Sequence, residues 1–197
     1  HSGRTNGFIE AFIEGGGVVA AEGYGEVTIA AAMTRANDLL TAHPDTDFVY
    51  ATNGDVGTAC IEALAKHANV EAQLYVTDLD PDVLTGLENG TVAAANGAHW
   101  VNVYYTAALI VNHLNGNTIK DADGNPPRLV VPEMTLPNNL VGLYNKCWIN
   151  GTAYTTAELQ AFVGPDVTMD DLQAALDVYT IDNRLEALVE QGVITQA

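Results

Sequence analysis

Asp47-Phe48-Val49-Tyr50-Ala51-Thr52-Asn53-Gly54-Asp55-Val56-Gly57 is the stretch on which the fold turns. An apolar run ends abruptly in short polar side chains and a glycine, and a helical pattern starts at Val56. This is a β-strand delivering Asn53 and Asp55 to a strand end. In open α/β sheets ligands bind outside the carboxyl ends of the strands, so small polar groups there are placed to meet a small molecule. The arrangement recurs at Gln73–Thr77, which runs into Asp78-Leu79-Asp80-Pro81, with Pro81 suited to the first turn of a following helix. Two strand ends therefore offer Asn53 and Asp78 side by side.

Working outward, Phe8, Ile9, Phe12 and Ile13 recur at helical spacing over Gly7–Glu14, and Gly15-Gly16-Gly17 stops that helix. Val18–Ala21 reads as a short buried strand. An amphipathic helix is expected over Glu26–Ala42, closed by His43-Pro44-Asp45. Helices over Val56–His67 and Pro81–Glu88 and a strand over Thr91–Ala95 complete an α/β alternation with parallel strands. Trp100–Leu114 is a helix apolar on more than one side, which calls for more than one covering neighbour. Lys120–Pro127 is a polar turn; its acidic spacing lacks the closing glutamate of a calcium loop. Arg128–Val131 reads as the last strand. Beyond Pro137 short helices follow, at Thr155–Phe162, Thr168–Val178 and Asn183–Glu190, the first two with capping-box starts. Two regions result: 1–136, an α/β body, and 137–197, a helical extension.

The 197 residues suffice for one sizeable core, 48% are hydrophobic, and no run reaches the roughly 18 apolar residues a membrane helix needs. A formal charge of −18, from 25 acidic and 7 basic residues, opposes binding to nucleic acid. Cys60 and Cys147 are too far apart for a zinc cluster. Two unpaired thiols are the favoured reading, although an oxidising compartment permits a bridge. Neither a serine, histidine and acid arrangement nor a glycine-rich phosphate cradle is present, so no catalytic residue, metal or cofactor is expected.

Several fragments in order carry a resemblance: Arg4-x-x-Gly7-Phe8, a leucine pair before His43-Pro44-Asp45, FVYATNGD from Phe48, YVTDLDPDVL from Tyr75, and Leu87-Glu88-Asn89-Gly90-Thr91-Val92. Over Arg4 to about Val131 they resemble the type I periplasmic sugar-binding proteins of the ribose-binding kind. The same scaffold serves the effector-binding core of the lactose-repressor family. The resemblance implies a doubly wound parallel sheet, two lobes closing on a sugar or polyol, an ABC-type permease as partner, and a periplasmic or extracellular location, with lipid anchoring as a variant. It implies that Arg4 donates to sugar hydroxyls, that Asn53 donates and accepts, and that Asp78 accepts from paired hydroxyls. Where the family usually has a glutamine, this chain has Asn96-Gly97-Ala98-His99-Trp100, so His99 and Trp100 are candidate contacts, and Tyr24 is a candidate stacking ring.

Each candidate has a structural competitor. Arg4 can simply be exposed, Asn53 can cap the following helix, Asp80 is placed to cap the helix at Pro81, and Tyr24 can pack or lie in a loop. A complete member carries on the order of a hundred residues before Arg4, so the chain resembles a carboxyl-terminal portion with the first lobe mostly missing. The apolar helix Trp100–Leu114 should then be covered by the missing lobe or a companion fragment, by a second copy, or by the tail after Pro137. Beside the receptor reading stand two others: a transcription regulator's effector core and, at lower weight, an α/β enzyme.

Overall fold

The computed structural model describes residues 2–24 and 28–195. The chain divides into two compact units: residues up to Gly97 with Thr135–Asn139, and Ala98–Met134 with the chain from Leu140 onward.

The first unit runs α1 (Ser2–Glu14), α2 (Ile29–Ala42), β1 (Phe48–Ala51), α3 (Gly54–Lys66), β2 (Gln73–Thr77), α4 (Pro81–Asn89) and β3 (Ala94–Gly97). A short β4 (Met134–Thr135) completes a sheet in the order β1-β2-β3-β4. β1 pairs parallel with β2 in the register Ala51↔Val76, and β2 with β3 in the register Thr77↔Asn96. Side chains alternate across the pleat, so each face has its own cover. On one face Phe48 and Tyr50 meet α1, where Phe8 stacks on Tyr50 at 3.9 Å and Phe12 on Phe48 at 5.1 Å between centroids, and Tyr75 stacks on Phe48 in turn. On the other face β2 presents Leu74 and Val76, both buried. There α3 approaches so closely that a Cβ at Gly57 would lie 2.6 Å from Val76 Cγ1. α4 buries Val83, Leu84 and Leu87. Helices on both faces make the parallel sheet doubly wound, as the sequence reading expects.

Three expected strands change. Val18–Ala21 forms none, and Val18 is 85% exposed; an apolar run becomes a strand only where its backbone finds a ladder partner. The strand expected at Thr91–Ala95 is observed at Ala94–Gly97. Residues before it belong to the turn that ends α4, where Val92 N–H donates to Gly86 O and Thr91 N–H to Asn89 Oδ1. Arg128–Val131 is not a strand. The side-chain amide of Gln173 takes the role of a neighbour, donating to Val130 O at 3.1 Å and accepting from Val130 N–H at 2.8 Å. The helix expected from Glu26 begins at Ile29, with Thr28 accepting from Ala31 N–H as its cap; Glu26 and Val27 lie outside the described residues.

The second unit contains a 3-10 turn (His99–Val101) leading into α5 (Asn102–Leu114), then α6 (Val141–Tyr144) continuing into a π turn (Asn145–Ile149), α7 (Thr156–Ala161), α8 (Met169–Asp177) and α9 (Ile181–Glu190). The tail covers one side of α5. Tyr105, Ala108 and Asn112 are buried, the Tyr105 and Tyr154 hydroxyls meet at 2.7 Å, and Asn112 donates to Phe162 O and accepts from Gly164 N–H. The opposite side stays in water within this chain: Val103 is 59%, Ile110 55% and Leu114 76% exposed. Both cysteines are buried free thiols, and burial pushes Cys60 up to about 11.

α9 holds the tail together through Arg184, which is 8% exposed. Its Nε and Nη2 donate to Ala153 O, it forks onto Glu158 at 2.8 and 3.0 Å, and it lies 4.2 Å over the Tyr154 ring. Burial opposes the Glu158 charge most strongly. The Arg184 hydrogen bond, the Thr155 backbone N–H, the Gln191 side chain and the Arg184 charge together outweigh it and bring Glu158 down to about 2. A depressed carboxyl stabilises the fold above its unfolded pKa and loses that contribution as pH falls toward the folded value. Glu158→Gln should therefore lower the melting temperature at pH 6, and the gap to the parent should close between pH 4.5 and 2. Arg184→Ala should cost about 2 to 3 kcal/mol in urea unfolding, below the roughly 3 to 5 of a fully buried pair, because Glu158 keeps some solvent contact.

Candidate functional site

The parallel register decides which groups meet. Ala51 and Val76 are partners, so the residues that follow them leave the sheet at the same level. After β1 come Thr52 and Asn53. Asn53 is 8% exposed and is the N-cap of α3, its Oδ1 accepting from Val56 N–H at 3.0 Å. The capping role thus holds, and it occupies the oxygen of the amide; the NH2 is the half that remains to donate. After β2 comes Asp78, whose N–H donates to Asn96 O at 2.7 Å, tying β2 to the end of β3.

Asp78 has φ +87. Left-handed backbone is uncommon for residues other than glycine, and aspartate tolerates it better than most. The conformation brings Oδ2 within 3.4 Å of Gly54 N–H, at the start of α3. Arg4, from the first turn of α1, completes the cluster. Its Nη1 donates to Thr52 O at 3.0 Å and lies 3.4 Å from Asp78 Oδ2, each side chain about a quarter exposed. Arg4 and Asp78 are thereby brought into direct contact, and Asn53 adjoins them through Gly54.

Tyr24 stands apart from this pattern of contacts: it is 67% exposed, and its hydroxyl donates to the Glu22 carboxylate. The hydrogen bond to Glu22, then desolvation and the Glu22 charge, raise its pKa. His99 and Trp100 belong to the second unit, in the 3-10 turn before α5. His99 Nδ1 lies 3.7 Å from Glu133 Oε1. The Trp100 indole N–H donates to the Tyr144 hydroxyl at 3.2 Å, and the ring remains 42% exposed.

Sequence reasoning missed the partners: the Thr52 carbonyl, the Gly54 N–H and Glu133. Asp80 also differs from expectation. It occupies the N-cap position of α4, but its side chain makes no capping hydrogen bond. Its carboxylate instead lies over Gly54, so close that a Cβ there would overlap Asp80 Oδ2. Burial first, and then the charges of Asp78, Asp55 and Asp82, raise the Asp80 pKa. The site is thus anionic, with Arg4 as the cation in contact with Asp78. A hollow of about 400 Å³ in the second unit, lined by Phe162, Gly164, Pro165 and Asp171 among others, includes none of these residues. The backbone on its rim is already spent, since Asn112 and Asn117 donate to Phe162 O and Gly164 O.

A family model described as the periplasmic binding protein domain matches residues 1–118, and the chain belongs to that family. A periplasmic sugar-binding protein from Pseudomonas fluorescens superposes with a TM-score of 0.71 at 14% identity, over 91% of this chain and 54% of that one. An arabinose-binding protein from Geobacillus stearothermophilus gives 0.64 at 22% identity, over 73% and 52%. A periplasmic ribose ABC transporter protein from Conexibacter woesei gives 0.56 at 18%, over 72% and 47%. At these identities the likeness is one of fold. The chain spans about half the length of the solved structures it matches. No sequence among the curated proteins matches it.

The positive φ of Asp78 generates a test free of any ligand. Asp78→Gly and Asp78→Ala both remove the carboxylate, but only glycine adopts the left-handed backbone without strain. Urea unfolding should find Asp78→Gly more stable than Asp78→Ala by about 1 kcal/mol.

Proposed function

We propose that this chain is the solute-holding part of an extracytoplasmic receptor that binds a sugar or related polyol and hands it to the permease of an ABC-type importer. The observation that carries the reading is the convergence of Arg4 and Asp78, with Asn53 alongside, at the carboxyl ends of adjacent parallel strands. A guanidinium donates, a carboxylate accepts and an amide NH2 donates, which matches the alternating donors and acceptors of vicinal hydroxyls. The surrounding acidic residues Asp55, Asp80 and Asp82 favour a neutral ligand over a phosphorylated one, since an anion would meet more negative than positive charge. Tyr24, in the same unit, offers a phenol, and in the second unit Trp100 and His99 offer a ring and an imidazole. The role is non-enzymatic, and its place is the periplasm or the cell exterior.

The exposed side of α5 fits the same reading. Val103, Ala107, Ile110 and Leu114 recur at intervals of four, three and four residues and form one apolar stripe. In the proposed receptor this stripe seats a companion lobe, or a second copy in its place. The regulator reading draws no such support from the relatives named above, whose descriptions are of sugar-binding and transport proteins.

Thermal shift with ribose, arabinose and sugar alcohols tests the binding role. A bound sugar should raise the melting temperature by linkage, and Asp78→Ala should remove most of the rise. No rise with any neutral polyol, or an undiminished rise in Asp78→Ala, would sink the site; steady conversion of the sugar would point to an enzyme.

A further inference from the structure

The tail reaches back to the residues that begin the second unit. Ala98 is 1% exposed and has φ +64, a left-handed conformation without a side chain suited to it. Its carbonyl accepts from the Tyr179 hydroxyl at 3.2 Å. That hydroxyl is simultaneously the acceptor for the Trp148 indole N–H at 2.9 Å. Trp148 in turn stacks on Tyr144 at 5.2 Å between centroids, and Tyr144 accepts from Trp100 Nε1. The contacts close a ring: Ala98 to Tyr179, Trp148, Tyr144, Trp100, and back along two peptide units to Ala98.

Several features suit this ring to holding a backbone rather than merely filling a core. Tyr179 is 1% exposed, and its one O–H and one accepted N–H serve named partners. Trp100 is tied at its nitrogen, so the ring fixes the plane of the indole while leaving 42% of the residue open. The left-handed residue sits between the end of β3 and the 3-10 turn, where a change of one φ would redirect both His99 and Trp100. Burial holds the Tyr179 phenol well above its ordinary pKa, so it stays a donor across the physiological range.

We infer that Tyr179 is a positioning residue: its hydrogen bond to Ala98 O, locked by Trp148, holds the 98–100 segment in the left-handed turn that orients Trp100 and His99. The helical tail is then part of the machinery that presents these side chains. The inference rests on the proposed receptor role only for its purpose; its test needs no sugar, so a failure of either is told apart.

The measurement is hydrogen exchange on the full chain, comparing a peptide spanning residues 98–104 with peptides of β1 and β2 and of α8. Tyr179→Phe keeps the ring and removes the hydroxyl. Exchange in 98–104 should accelerate by about tenfold or more, with less than about a twofold change in β1 and β2, as expected for a local opening. Ala98→Gly in that background should restore protection, since glycine enters the same conformation without the latch. Should Tyr179→Phe fail to fold, Tyr144→Phe, which releases the other end of the ring at Trp100, must show the same local pattern and the same rescue. Uniform acceleration through the tail, or no recovery with Ala98→Gly, would overturn the positioning role and leave Tyr179 an ordinary core residue.

Discussion

The parallel register of β1 with β2 is the constraint from which the site follows. Pairing Ala51 with Val76 sets the last sheet residues level, so Thr52, Asn53 and Gly54 emerge beside Thr77 and Asp78. The close approach of α3 to Val76 at Gly57, and the Asp80 carboxylate over Gly54, fix where α3 begins. The left-handed turn at Asp78 then aims a carboxylate at the Gly54 N–H and the Arg4 guanidinium. A one-residue slip would turn every side chain of β2 to the opposite face, placing Tyr75 where Val76 now lies against α3.

Within the cluster, backbone and side chain divide the task. The first N–H groups of α3 lack helical partners, and Asn53 Oδ1 and Asp78 Oδ2 take two of them. The positive end of α3 stabilises the nearby carboxylate. The 3.4 Å Arg4–Asp78 pair is partly solvated and adds little stability by itself. Its value is in arrangement: the guanidinium is anchored by Thr52 O and Asp78 Oδ2, which limits its freedom.

Much of this was legible in sequence because local rules and global packing agree there. Gln73–Thr77 and its Pro81 helix are found as read, and both capping boxes form at Thr155 and Thr168. Failures occur where a backbone satisfies itself with partners distant in sequence. Val130 is bracketed by the amide of Gln173, forty-three residues away. Pro126, Pro127 and Pro132 are a signal against a ladder that the strand reading left out. α6 and its π turn passed unread, although Val141, Tyr144 and Trp148 recur at helical intervals and are buried. At the site, residue types at strand ends pointed to Asn53 and Asp78, and Arg4 came from the family resemblance, but no pattern foretells a positive φ at an aspartate or a carboxylate lying over Gly54.

The exposed stripe of α5 can be weighed against what association costs. Covering Val103, Ile110 and Leu114, each 55% to 76% exposed, would contribute about 4 kcal/mol at about 2 kcal/mol per full side chain. Bringing two free bodies together costs an estimated 4 to 15 kcal/mol before any contact is made, about 4 at the most lenient. A second copy docking stripe to stripe would bury both sets, about 8 kcal/mol, which falls inside that range and makes the contact marginal for a freely diffusing copy. A lobe joined by short chain segments escapes most of that cost, because tethering turns docking into an intramolecular step. Energetically a tethered partner has the advantage over a freely diffusing one, and Tyr105, Ala108 and Asn112, packed under the tail on the opposite side, keep α5 in place in either case.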